Sequence, residues 1–147
     1  MAMDYTSSGP VGTVAFMVKS AAHSNLSVTV HQINWSTEIF DIGSNFASNV
    51  FTAPLTGKYH INISWYLYNL DVDAPYYETR ITTSNRNIEF IQDPGVFAGD
   101  PTYWSTSHSH VFDMDSGDTA TGKIQVGGGA AQMDVAASSY ISGCLVG

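Results

Sequence analysis

Charge is scarce in this sequence. Asp, Glu, Lys and Arg make up 12% of the 147 residues, against roughly 25% in an ordinary soluble domain. The five basic residues, Lys19, Lys58, Arg80, Arg86 and Lys123, are scattered, and the net charge is −8. A surface that tracks phosphates with a basic stripe is therefore excluded, and with it nucleic acid as a partner. A long solvated helix, which needs Glu and Lys, is disfavoured too. Cys144 is the one cysteine, so no internal disulfide forms. No run approaches the roughly 20 apolar residues of a membrane span, and no membrane partner is expected. Residues 1–12 have neither a basic start nor an apolar stretch, so they do not read as a secretory signal. The triplets at Asn25, Asn34 and Asn62 that resemble glycosylation acceptors are read as chance for the same reason.

What is present is apolar and aromatic: 44% hydrophobic residues, 12% of the chain being Phe, Trp or Tyr. That suffices for one domain burying roughly 70% of its unfolded surface. Alternation dominates. Residues 13–18 open with a strand, and Leu26 to Ile33 alternates Leu26, Val28 and Val30 against Ser27, Thr29 and His31. In residues 58–68 Tyr59, Ile61, Ile63, Trp65 and Leu67 share one face, and His60, Asn62, Ser64, Tyr66 and Tyr68 the other. Residues 77–83 and 87–91 flank a turn and predict a hairpin. The Pro- and Gly-bearing stretch 93–101 predicts a loop, 102–114 a long strand, 115–118 a turn, 119–126 a return strand, 127–131 a flexible tip and 133–146 the closing segment. The expected fold is all-β, an antiparallel jelly-roll sandwich of eight to ten strands over residues 13–147, preceded by an arm at 1–12.

Four groupings carry candidate chemistry. His108 and His110 point the same way in a strand, and copies around a three-fold axis could offer imidazoles to a metal. Their phase is that of Phe112 and Met114, however, so they are read as hydrogen-bonded histidines at the edge of the core. Asp113 to Asp118 starts like a calcium loop but has Gly117 at a ligand position, and reads as a turn. Asp71, Asp73 and Asp100 could converge on a cation only if the fold brought them together. Cys144 has no basic sequence neighbour and reads as packing. No nucleophile elbow or phosphate loop occurs, so the expectation is a protein without catalysis, metal or cofactor. Trp35, Trp104 and the Tyr76–Tyr77 pair are the aromatic candidates for surface or end-cap positions. Tyr103 and Trp104, just after the Pro-rich loop, are the candidates for stacking on a sugar or a protein.

Ordered motifs carry a resemblance. Ala15-Phe16 lies near the start, Phe51-Thr-Ala-Pro-Leu-Thr-Gly-Lys-Tyr59 in the middle, Gly117-Asp118 late, and Ser139-Tyr-Ile-Ser-Gly-Cys-Leu-Val146 at the end. The pattern resembles the complement C1q globular-head family, a branch of the tumour-necrosis-factor-like jelly rolls, over residues 13–146. Asn49 departs from the family's usual Gly, and Ile141 and Cys144 from its usual Phe pair; no Gly-X-Y collagen stalk is present. The resemblance implies ten strands, a homotrimer and no catalysis. It gives weight to a subunit interface on the second face of the 58–68 strand. The candidate interface residues are Asn62, Ser64, Tyr66, Tyr68, Ser107, Ser109, Val111 and Leu145; an ordinary wet sheet face is the plain alternative. The functional expectation is an exterior structural or decorating protein of a particle, most plausibly a phage virion. It would be made in a cytoplasm and docked on a shell or fibre protein through the arm. The alternative is a fibre-tip or adhesin module that recognises a glycan or cell-surface protein.

Overall fold

The computed structural model describes residues 14–128 and 132–147. The expected arm at 1–12 and part of the glycine-rich tip lie outside them. Among the described residues there is no α-helix, only a short 3-10 turn at Pro94–Val96, and every strand pairing is antiparallel.

Two sheets face each other. The first is built on β7 (Gly57–Tyr68). One side of β7 is paired along its whole length by β10 (Tyr103–Met114), an edge strand. The other side is shared by β13 (Tyr140–Leu145) and β12 (Met133–Val135). Beyond β13 come β1 (Ala15–Ser20) and β4 (Trp35–Ile42), and β2 (His23–Leu26) pairs β12. The second sheet runs β5 (Phe46–Ala47), β6 (Val50–Thr52), β11 (Thr119–Val126), β8 (Tyr77–Thr83) and β9 (Asn87–Gln92), with β3 (Val30–Gln32) beside β11. This is the jelly-roll sandwich that the alternation implies. It has more segments than expected because several are pieces of two to four residues.

The core lies between the sheets. Tyr59, Ile61, Ile63, Trp65 and Leu67 are all buried, as the period-2 run requires. Each such side chain contributes roughly 1.5–3 kcal/mol relative to an exposed one. Trp65 meets Trp35 at 5.5 Å between ring centroids, and Phe16 stacks on Phe51 at 4.6 Å. Trp35 and Tyr77 are therefore core residues rather than end caps.

The expected strand over 26–33 is corrected. Residues 23–26 belong to the first sheet and 30–32 to the second, so the chain changes sheet between them. Asn25 takes a left-handed backbone (φ 54°), Thr29 N donates to Ser27 O at 2.8 Å, and Val28 and Val30 are both 41% exposed. A strand over 35–42 escaped notice because, after Trp35, it is exposed almost throughout and shows no alternation.

Two sequence motifs acquire physical causes. Gly117 has φ +96° in the turn after β10. Asp118 beside it accepts from Ser84 Oγ at 2.7 Å, Asn85 Nδ2 at 2.6 Å and Asp115 N at 2.8 Å, tying two turns together. These bonds, the one from Ser84 first, hold its carboxyl below the usual range. Asn49 also has positive φ (69°), a conformation open to Gly and Asn. Its Oδ1 accepts from Trp35 N at 2.7 Å.

Candidate interaction surface

The outer face of the first sheet is assembled by register. On β7 it shows His60, Asn62, Ser64, Tyr66 and Tyr68, all half-buried. On β10 their partners are Val111, Ser109, Ser107, Ser105 and Tyr103. On the other side β13 places Cys144 opposite His60, Ser142 opposite Asn62 and Tyr140 opposite Ser64. β1 and β4 continue the face with Ala15 and Met17, then Ile42 and Phe40.

The surface has three zones. At one end Tyr66, Tyr68 and Tyr103 cluster, with ring centroids 4.8–6.2 Å apart. Burial first, then the neighbouring Tyr68, push the Tyr66 phenol up, so it is neutral at pH 7. The middle is small and hydroxyl-rich, with a shallow groove of about 580 Å³ bordered by Ser64, Tyr66, Ser105, Ser107, Ser138 and Tyr140. The opposite end is apolar: Val111 is 61% exposed, Ile42 48% and Phe40 43%. Of the chain's thirteen acidic residues, Asp113, opposite Lys58, and Asp134, opposite Tyr68, stand at the two ends of this face, and the positions between them carry none. Lys19, over the Tyr140 ring at 5.8 Å, borders the face.

Seven of the expected interface residues, Asn62, Ser64, Tyr66, Tyr68, Ser107, Ser109 and Val111, thus share one surface. Leu145 does not. It pairs with inward-facing Tyr59 and is buried in the core; in β13 the outward residues are Tyr140, Ser142 and Cys144. Tyr103 and Trp104 also separate, because they begin a strand and successive side chains alternate. Tyr103 joins the outer face. Trp104 turns inward and packs edge-on against Phe97 and Tyr77. Cys144 is not in the core either: it stands on the outer face opposite His60, a neighbour sequence distance could not reveal.

The remaining candidates are placed elsewhere. Asp71 Oδ1 accepts from Asp73 N at 2.8 Å and Asp100 Oδ1 from Val72 N at 3.0 Å, so both cap local backbone. With Asp134 they border a polar pocket of about 380 Å³ at one end of the sandwich. His108 is buried at the core edge, stacked on Phe90 rather than firmly hydrogen-bonded. Among the described residues no three or more His, Cys, Asp or Glu converge as metal ligands, and no helix is long and apolar enough to cross a membrane.

The fold defined by these two sheets is the jelly roll of C1q and tumour-necrosis-factor domains. The globular domain of zebrafish complement 1qA matches over 91% of this chain and 98% of its own, with a TM-score of 0.64 at 15% identity. Murine APRIL matches over 90% and 98%, TM-score 0.65, 15% identity. The Eiger TNF of S. frugiperda matches over 91% and 92%, TM-score 0.62, 12% identity. At the level of sequence, no family model and no curated protein matches.

Proposed function

We propose that this chain is a non-catalytic head that assembles as a homotrimer through the outer face of its first sheet. The observation that carries the reading is that the carboxylates of that face stand only at its two ends, Asp113 opposite Lys58 and Asp134 opposite Tyr68, in a chain of net charge −8. Two copies of a strongly acidic protein repel unless the surfaces they bring together leave the charge outside. Tyrosines offering area with a polar tip, and exposed Val111, Phe40 and Ile42, supply what such an interface needs. The jelly-roll likeness to C1q and TNF domains supports the same reading.

On this reading the finer role is exterior and structural. The head projects from a particle, most plausibly a virion, and residues 1–12 dock it to a shell or fibre protein. The low share of charged residues in the chain, 12%, supports a passive, projecting role. A glycan-binding role is the second reading, favoured by Tyr103, which is 64% exposed beside a hydroxyl-lined groove.

Sedimentation equilibrium is the test of assembly. A mass of three chains is expected; a single chain at micromolar concentration overturns the homotrimer. Removal of residues 2–12 should abolish docking on purified particles and leave the head folded. Docking retained without the arm overturns the arm's role. A glycan signal lost in Tyr103→Ala but kept by the parent would favour the second reading.

A further inference from the structure

Strands β9 and β10 are the unpaired edges on one side of the sandwich, and the seam between them is filled by unusual groups. His108 is 6% exposed. Its ring stacks on Phe90, centroids 3.9 Å apart and planes within 21°. Its one polar contact is Nδ1 to Thr79 Oγ1 at 3.5 Å. Nε2 of His108, Nε2 of His110 and Oε1 of Gln92 are all buried without partners, while Gln92 Nε2 donates to Thr106 at 3.0 Å. Orphaned buried polar atoms are costly, and three of them, two on imidazoles, lie together in this seam.

No carboxylate faces the seam. The inner face of β7 offers Ile61, Ile63 and Trp65; that of β8 Tyr77, Thr79 and Ile81; that of β9 Ile88, Phe90 and Gln92. The other titratable groups on these faces are the Tyr59 and Tyr77 phenols, pushed up by burial and neutral. Glu78, Arg80 and Glu89 lie on the opposite face of β8 and β9, and Asp113 on the opposite face of β10. A proton on His108 would therefore create a buried cation with only His110 beside it. Burial, then the charge of His110, lower the His108 pKa to about 4.

The same strand carries the proposed interface. In β10, Ser107, Ser109 and Val111 face outward while His108 and His110 alternate with them inward. Whatever dislodges the histidines displaces the interface residues. We propose that the His108–His110 seam is an acid-released latch: the neutral His108 imidazole keeps β10 closed on β9, and its protonation opens the edge and separates the copies. Its effect on assembly rests on the homotrimer reading.

The sign follows from the lowered pKa. The open form binds the proton first, so closure is fully favoured above the ordinary histidine value of 6.5 and is lost as pH falls toward about 4. Each pH unit in that window raises the open population by up to about tenfold.

Hydrogen exchange, corrected for its intrinsic pH dependence, tests the seam on the full chain at about pH 7.5 and about pH 5, with sedimentation alongside. The expected result is a loss of protection of about tenfold or more in β9 and β10, with β11 and β13 unchanged. It should reverse on neutralisation and be absent in His108→Gln. Equal protection at both pH values, or the same loss in His108→Gln, overturns the latch. Should that variant not fold, an NMR titration of the parent decides: His108 titrating above about 6 overturns the latch. A single-chain mass at pH 7.5 overturns the homotrimer instead, and the exchange result still judges the seam.

Discussion

The two sheets meet the outside in opposite ways. The outer face of the second sheet is built on charge. Glu78 pairs with Arg80 on β8; Arg80 Nη2 donates to Gln125 Oε1 at 2.7 Å, and Gln125 Nε2 to the Tyr76 hydroxyl at 3.3 Å. Lys123 and Glu89 flank Arg80 on the neighbouring strands. The first sheet offers tyrosine, serine and exposed aliphatic side chains, with acids only at its ends, Asp113 and Asp134. One sandwich thus carries a face whose buried charges, Glu78 and Arg80, pair within the chain and a face whose area is left for something else. Both alternate in sequence, so the difference lies in the kind of residue at the outward positions.

The largest effect should come from breaking the second face. Glu78 and Arg80 side chains are 7% and 14% exposed, so Glu78→Ala leaves a largely buried guanidinium without its carboxylate. A loss of about 3 kcal/mol is expected in urea unfolding, the low end for a buried pair because Gln125 still holds Arg80. Native mass should be unchanged under conditions where the variant stays folded.

Next comes a change that should do the reverse. Ser64→Asp puts a carboxylate in the middle of the face, where the native chain has none, repeated in every copy. Like charges brought together in an interface cost several kcal/mol, so association should weaken by more than about a hundredfold and the mass fall to one chain. Ser64 is half-buried and outward, so the urea midpoint of the isolated head should shift little. An unchanged mass would mean that the face is an ordinary wet surface.

How much of this was legible follows from the same geometry. The 58–68 run displays its inward and outward sets openly, because β7 is long, central and buried on one side throughout. The outward residues of β10 follow from the same counting. Leu145 was misplaced because β13 is anchored by Gly143, which faces inward where an added Cβ would meet the Phe16 ring at 2.8 Å. That inward glycine carries no hydrophobic signal, so the phase is hard to read. Trp104 lies within the expected strand over 102–114, and the phase of Phe112 and Met114 carried back to it gives its inward position; its place just after the loop suggests exposure instead. The His60–Cys144 neighbourhood and the seam of unpartnered atoms around His108 join strands far apart in sequence, and only the pairing of strands reveals them.

A smaller effect is expected at Tyr103. It stacks edge-on against Tyr68 at 5.4 Å and is largely exposed. Tyr103→Ala should cost the head under about 1 kcal/mol, in line with an aromatic pair at the surface. In the trimer it should weaken association by about tenfold, read from the concentration dependence of the sedimented mass. If stability falls and association does not, the tyrosine cluster belongs to the head alone and the interface is confined to the apolar end.

The smallest effect sharpens the comparison from the end of the first face. Arg86 Nη2 meets Asp113 Oδ1 at 2.8 Å near the end of the sandwich, and the two side chains are 49% and 55% exposed. Water screens such a pair, and ordering two long side chains offsets most of the attraction. Arg86→Ala should change the urea midpoint by the equivalent of under about 0.5 kcal/mol, with the difference vanishing at high salt. The Glu78–Arg80 pair has the same chemistry on the same protein, yet its removal should be felt several-fold more strongly. Equal effects at the two pairs would mean that burial does not separate the faces, and the charge-bearing sheet would then be as indifferent to its ion pairs as any solvated surface.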